Sequence, residues 1–100
     1  MTTIHFLKIS GMIERQRRQE FEHMVKFACG LVPDQCTEKN LAVEIFNGHE
    51  YYFFASWLSE TALRKFLQSE EFFLIRTAFD TMGALKKIEI GYDVEIKAAA

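Results

Sequence analysis

Residues 41–57, LAVEIFNGHEYYFFASW, contain the clearest structural signal in the chain. The runs Leu41–Phe46 and His49–Trp57 are rich in β-branched and aromatic residues, which favour extended strands. Asn47-Gly48 joins the two runs, and this dipeptide is typical of a two-residue type I′ turn because both turn positions need a positive φ. The sequence therefore predicts an antiparallel β-hairpin that reverses at Asn47-Gly48.

One strand and one helix are predicted before the hairpin. Residues 3–9, TIHFLKI, have the composition of a strand, and Ser10-Gly11 is expected to end it. The next segment has apolar residues at helical spacing, and Gly30 is suited to end that helix. Residues 34–40 are polar and predict a loop or an irregular start of the next strand. The buried stripe of the helix is predicted to contain Phe21, Met24, Val25 and Ala28.

Two helices and a last strand are predicted after the hairpin. Ser59 and Ser69 are each followed by glutamate, so both serines are predicted helix N-caps. Gly83 occupies the position of a residue just past the end of the second helix. Residues 85–96 alternate between apolar and polar side chains, which predicts a strand, and residues 97–100 are expected to fray. The buried stripes of the two helices are predicted to contain Leu63, Phe66 and Leu67, then Phe72, Ile75, Phe79 and Met82.

The predicted order, β-α-β-β-α(α)-β, is the ferredoxin-like βαββαβ pattern of an α+β protein. It predicts a four-stranded antiparallel sheet with the helices on one face. A chain of 100 residues suits one hydrophobic core, so residues 1–100 are expected to form a single domain.

The uncovered face of such a sheet should be polar, but this chain departs from that rule. The first strand places Ile4 and Phe6 on one face. Leu7 and Ile9 lie on its other face, and residues 51–57 are aromatic or small on both faces. An exposed patch of this kind exceeds what monomers usually tolerate. Unless the strand boundaries differ from those predicted, we therefore expect a homodimer in which two sheets pack face to face, a dimeric α/β barrel.

Charge and hydropathy exclude several classes of partner. The net charge of −2 argues against nucleic acid and against an anionic membrane surface. The basic residues 15–18 are interleaved with glutamates, which favours a solvated helix face over a phosphate or RNA contact. No apolar run approaches the roughly 20 residues of a membrane span, and the first residues lack the features of a signal peptide. We therefore expect a cytoplasmic protein in which Cys29 and Cys36 are reduced thiols and no metal site is present.

Residues 52–63, YFFASWLSETAL, resemble part of the antibiotic-biosynthesis-monooxygenase domain. In those domains an apolar strand commonly runs into Trp-x-Ser/Asp-x-x-Ala-Leu, and the helix that follows ends in a Leu-x-Ser-x-x-Phe-like segment, which here is Leu67–Phe72. The element order extends the resemblance over nearly the whole chain. The resemblance implies a dimeric α+β barrel with a pocket between the helices and the sheet of each subunit.

The family includes cofactor-independent oxygenases of polycyclic phenols, quinol oxygenases, haem-degrading enzymes and proteins without known activity. The haem-degrading branch places a Trp just before the Leu-x-Ser segment, a His ten residues later and an Asn on the first strand. Here Phe66 and Arg76 occupy the two helical positions, and the predicted first strand contains no Asn. Haem degradation is therefore disfavoured.

The candidate catalytic residues are two histidines and one arginine. His5 is the preferred acid or base because it shares a strand face with apolar residues, whereas His23 lies off the main stripe of its helix. His49 follows the hairpin turn and is expected to be solvated. Arg76 is the candidate cation for a substrate anion, with a solvated arginine as the alternative. The candidate walls of the substrate pocket are Phe27, Trp57, Phe66, Phe72 and Phe79, although Trp57 is also suited to fill the core.

Two functions follow from these residues and from the resemblance. The first is a cofactor-independent monooxygenase for a small apolar cyclic compound, of quinol or phenol type. A phenolate or enolate can pass an electron to O₂ directly, so neither a metal nor a flavin is expected. The alternative is a non-catalytic homodimeric module that binds a small hydrophobic ligand or only assembles.

Overall fold

A computed structural model describes residues 3–31 and 36–94 of the chain. A 3-10 turn at Arg15–Arg17 precedes the first helix. The elements are β1 (His5–Ile13), α1 (Arg18–Cys29), β2 (Glu38–Val43), β3 (Glu50–Trp57), α2 (Glu60–Leu67), α3 (Glu70–Thr81) and β4 (Gly83–Tyr92).

The four strands form one antiparallel sheet in the order β2-β3-β1-β4. The central strand β1 pairs with β3 on one side and with β4 on the other, and Ile9 lies opposite Phe53 and Ile88. The α+β class, the four-stranded antiparallel sheet and the ferredoxin-like element order are confirmed. In the described ranges 3–31 and 36–94, no helix is long and apolar enough to cross a membrane.

The core lies between the helices and one face of the sheet. Tyr51, Phe53 and Trp57, at odd positions of β3, are almost completely buried, while the even positions point to the opposite face. The ring of Phe21 lies 4.9 Å from the rings of both Tyr51 and Phe79, so α1 and α3 are joined to the sheet by edge-to-face aromatic contacts. The predicted stripes are confirmed at Phe21, Val25, Ala28, Leu63, Phe66, Ile75, Phe79 and Met82, all of which are buried.

Side-chain hydrogen bonds cap the N-termini of α2 and α3. The Oγ of Ser59 accepts from the backbone N–H of Ala62 at 3.1 Å, and the Oγ of Ser69 accepts from that of Phe72 at 3.1 Å. Both predicted N-caps are therefore confirmed.

The Tyr51 hydroxyl joins α1 to β3. It accepts from the Nε of Arg18 at 2.9 Å and donates to the carboxylate of Glu22. Burial, with the hydrogen bond to Glu22 as the second cause, raises the pKa of Tyr51 above its ordinary value. The phenol therefore stays protonated at neutral pH and can keep donating to Glu22.

The hairpin is present, but the prediction of a two-residue type I′ turn is wrong. Strand β2 ends at Val43 and β3 begins at Glu50, and none of the described glycines has a positive φ. Instead, the N–H of Glu50 donates to the carbonyl of Asn47 at 3.1 Å, and the N–H of His49 donates to the Asn47 side chain at 3.2 Å. These local bonds stabilise a wider loop. They leave Ile45 and Phe46 at its tip 87% and 94% exposed.

Of the three glycines expected to end elements, Gly30 does end α1, but Gly11 and Gly83 serve a different purpose. Strand β1 continues through Gly11 to Ile13, and its register with β4 shifts between Ser10 and Gly11, as is common where a glycine marks a bulge. Gly83 belongs to β4 and has no positive φ, so it is not a left-handed cap. A Cβ there would clash with the carbonyl oxygen of Met12. Glycine is needed at both positions because the backbones approach closely. Residues 95–100, which include the end of the predicted last strand and the tail, lie outside the described residues.

Gly83→Ala is expected to lower the free energy of unfolding by about 1–3 kcal/mol or more, because the new methyl group meets backbone that cannot rotate away. Gly30→Ala is the matched control. Gly30 has φ −91°, and a Cβ there would have its nearest atom at 3.6 Å, so this change should be neutral or stabilising by about 0.4–1 kcal/mol. Urea unfolding of both variants measures the difference. Equal stability of the two variants would contradict the close approach of β1 and β4.

Candidate functional site

An open cleft of about 380 Å³ lies between α1 and the edge strand β2. Leu41 and Phe53 are paired neighbours on the helix-facing side of the sheet and form its apolar floor. Val25 and Cys29, one helical turn apart on α1, form the wall above them. The full lining comprises Val25, Lys26, Cys29, Lys39, Asn40, Leu41 and Phe53.

A buried ion pair borders this cleft. The Nζ of Lys39, on the helix-facing side of β2, lies 2.6 Å from Oε2 of Glu71 in the first turn of α3. The Glu71 side chain is only 2% exposed and that of Lys39 only 16%. Removing two charges from water costs free energy that their attraction only partly returns, so a pair this deep is uncommon in a structural core.

An aromatic cluster continues from the ion pair. The Nζ of Lys39 lies 5.9 Å from the centre of the Phe66 ring, within range of a cation–π interaction. The ring centres of Phe66 and Trp57 are 4.9 Å apart, and those of Phe66 and Phe72 are 5.9 Å apart. Three of the five predicted wall residues therefore lie together, next to Lys39 and Glu71, but none of the three belongs to the lining of the cleft.

The other two predicted wall residues lie elsewhere. Phe79 is fully buried against Phe21 in another part of the core. Phe27 is 61% exposed on the outer side of α1, where it lines a shallow surface groove with His23.

The three predicted catalytic residues are separated. His5 is half-buried on the helix-facing side of β1, opposite Trp57, and its ring centre lies 6.2 Å from that of Tyr92. His23 is exposed on α1, and Arg76 is exposed on α3. His49, expected to be solvated, is half-buried and accepts a hydrogen bond from Nη2 of Arg15 at 3.2 Å.

Lys39 and Glu71 are not among the site residues predicted from the sequence. Glu71 precedes Ile75 by four residues and Phe79 by eight, so it continues the buried stripe of α3. Because Glu70 is adjacent, the two glutamates also fit the usual pattern of acidic residues in the first turn of a helix. Lys39 fell in a polar segment without a strand pattern, and only the pairing of β2 with β3 places it on the helix-facing side.

Chemically, the site combines a partly desolvated ammonium, a carboxylate and an apolar floor. An ammonium in surroundings of low polarity can hold an anionic oxygen, and a carboxylate can accept a proton. In residues 3–31 and 36–94, no group of three or more His, Cys, Asp or Glu side chains could hold a metal ion.

The sequence matches no protein-family model and no curated protein. Solved structures are nevertheless similar along the whole chain. A candidate antibiotic biosynthesis monooxygenase from Caulobacter crescentus CB15 superposes with a TM-score of 0.75 at 15% identity, covering 96% of this chain and 92% of that one. A second, from Nitrosomonas europaea, has a TM-score of 0.74 at 3% identity, covering 100% and 97%. The fold is antibiotic-biosynthesis-monooxygenase-like.

This monooxygenase-like fold is shared beyond those two proteins. A conserved protein from Methanosarcina mazei Go1 has a TM-score of 0.74 at 18% identity and covers 92% of each chain. Identities this low establish the shared architecture alone. The function must therefore be argued from the side chains of this chain.

Lys39→Met is expected to destabilise the protein by about 3 kcal/mol, because it leaves the Glu71 carboxylate buried without its ammonium. The double variant Lys39→Met/Glu71→Leu should recover most of that loss, since an apolar pair can replace a buried ion pair. The surface pair of Arg64 with Glu60, 2.9 Å apart, provides the control, and Arg64→Met should cost less than about 1 kcal/mol. Chemical denaturation measures all three variants. A double variant no more stable than Lys39→Met would contradict the coupling.

Proposed function

We propose that this chain is a homodimeric, cytoplasmic, monooxygenase-like protein that acts on a small apolar cyclic compound of quinol or phenol type. The observation that carries the proposal is the helix–sheet cleft with its buried ammonium, located inside a monooxygenase-like fold. Its volume of about 380 Å³ lies at the lower end of the range for small-molecule sites, which suits one or two fused rings.

The proposed chemistry needs little from the protein beyond a base, a cation and a dry surface. The base removes the phenolic proton, and the electron-rich anion then transfers an electron to O₂. His5 is the proposed base, since it is half-buried on the helix-facing side of the sheet. Neither His5 nor the other two predicted catalytic residues belong to the lining of the cleft, so a substrate bound there must extend beyond that lining to reach them. His23 remains the second candidate base, and Arg76 is the proposed cation.

The homodimer is proposed from the open face of the sheet. On that face the rings of Phe6 and Phe54 are stacked with centres 6.1 Å apart, and the Nζ of Lys8 lies 5.0 Å from the centre of the Tyr52 ring. Strand β3 has nearly the predicted boundaries, so its aromatic residues on two faces are not an error of strand assignment. A second copy, packed sheet against sheet, would cover these rings.

A non-catalytic homodimeric module that binds a small ligand is the second candidate. The separation of His5, His23 and Arg76 favours it, because general acid–base catalysis needs its groups within hydrogen-bonding reach of one substrate. Both candidates share the cleft and the dimer, and they differ only in turnover.

The dimer predicts a mass of about twice the single-chain value of 11.7 kDa in light scattering at micromolar concentration. Phe54→Lys places a charge on the open face and should bring the mass to the single-chain value while the circular dichroism of the fold persists. Phe73→Lys is the control: Phe73 is 64% exposed on α3, and its replacement should leave the mass unchanged. A single-chain mass for the unmodified protein would exclude the dimer.

The oxygenase predicts O₂ consumption with 1,4-naphthohydroquinone that exceeds autoxidation without protein and scales with protein concentration. His5→Ala should lower this rate by about 100-fold, whereas His49→Ala should leave it unchanged. A ligand-induced rise in melting temperature without O₂ consumption would favour the non-catalytic module. Neither turnover nor a melting shift would reject both functions.

A further inference from the structure

We infer that the cleft between α1 and β2 selects an aromatic anion, whose carboxylate or phenolate oxygen meets the ammonium of Lys39 while Glu71 positions that ammonium. This inference rests on the proposed function and deepens it by naming the charge of the ligand. It concerns binding only, and no covalent step is involved.

The charges that line the cleft support an anion. Lys26 and Lys39 are the two ionised side chains of its lining, and every other described lining residue is neutral. The chain as a whole has a net charge of −2, so this pair of cations is not a reflection of overall composition. Glu71, behind the lining, offsets the charge of Lys39, so Lys26 leaves the cleft with a net positive charge on a protein whose net charge is negative.

Because the Lys39 side chain is mostly buried, its positive charge attracts an anion more strongly than an exposed charge would. With a side chain only 16% exposed, Lys39 is screened by water much less than the exposed Lys26 at the same cleft. The hydrogen bond to Glu71, at 2.6 Å, restricts where the ammonium can point. Glu71 is thus a positioning residue and does not itself line the cleft.

The retention of this ion pair also fits a binding role. An apolar pair of similar size would stabilise the fold equally well, so stability alone does not account for two charges at this depth. Desolvated charges beside a cleft mark a candidate functional site.

The apolar surfaces select a flat ring. Leu41, which is half-buried, forms the accessible part of the floor, while its paired neighbour Phe53 and Val25 of α1 are 1% and 2% exposed and lie behind it. A planar aromatic ring can cover this floor while its ionised oxygen reaches Lys39. A charged but saturated ligand would fill the same space with poorer contact to this flat floor.

The test compares charged and neutral probes of matched shape by isothermal titration calorimetry. We expect 2-naphthoate to bind at least about tenfold more tightly than 2-naphthamide. The pair 4-nitrophenolate and nitrobenzene, measured above the pKa of the phenol, repeats the comparison for a phenolate. Preference in both pairs, or in one, supports the inference and identifies the oxygen type. Equal affinity within both pairs overturns it.

Variants test whether the preference for charged over neutral probes depends on Lys39. The double variant Lys39→Met/Glu71→Leu is designed to keep the core filled. In it, the ratio of the affinities for the charged and neutral probes should fall to about one, whereas Lys39→Arg should keep the preference for the anion. Lys86→Met, remote from the cleft, should bind like the unmodified protein. A preference that survives in the double variant would overturn the assignment to Lys39. Because 2-naphthoate and 2-naphthamide are not oxidised here, a protein without oxygenase turnover can still pass this test, and the two proposals can fail separately.

Discussion

Strand β3 has large side chains on both of its faces, and much of the structure follows from the need to cover them. On one face Tyr51, Phe53 and Trp57 are buried by the three helices. Because β3 pairs with β1 and β2, the aromatic residues of its other face extend the open surface that Phe6 begins on β1. The helices cover one face, and the open face is the physical basis for the proposed dimer.

The candidate site lies where this aromatic layer reaches the edge of the sheet. Strand β2 is an edge strand, so α1 does not seal the space above Leu41 completely, and the cleft opens there. Lys39 lies on the same strand and the same face, which brings a cation into contact with the core without burying it fully. The position of Glu71 at the start of α3 holds that cation in place, next to the ring cluster of Trp57 and Phe66.

Local patterns predicted those parts of the fold that local forces determine. Ser59 and Ser69 cap their helices because a serine hydroxyl satisfies a backbone N–H within three residues, which the sequence shows directly. The role of Gly83 could not be predicted, since the carbonyl of Met12 that excludes a side chain there is distant in sequence. The same holds for the pair of Lys39 with Glu71, 32 residues apart, which forms only when β2 and α3 are packed on one sheet. The predicted two-residue turn at Asn47-Gly48 was wrong for a different reason. The Asn47 side chain accepts a hydrogen bond from the N–H of His49, which stabilises a wider loop.

The edges of the sheet also determine what kinds of assembly the fold permits. Strand β4 has Lys87 and Glu89, 3.7 Å apart, along one edge, and β2 has Glu38 and Asn40 along the other. Charged and polar side chains at an edge oppose the addition of a further strand from another molecule. Extension of the sheet by strands of other molecules, which could lead to fibres, is therefore disfavoured at both edges. The proposed dimer would instead use the open face of the sheet, where a twofold contact closes on itself at two chains.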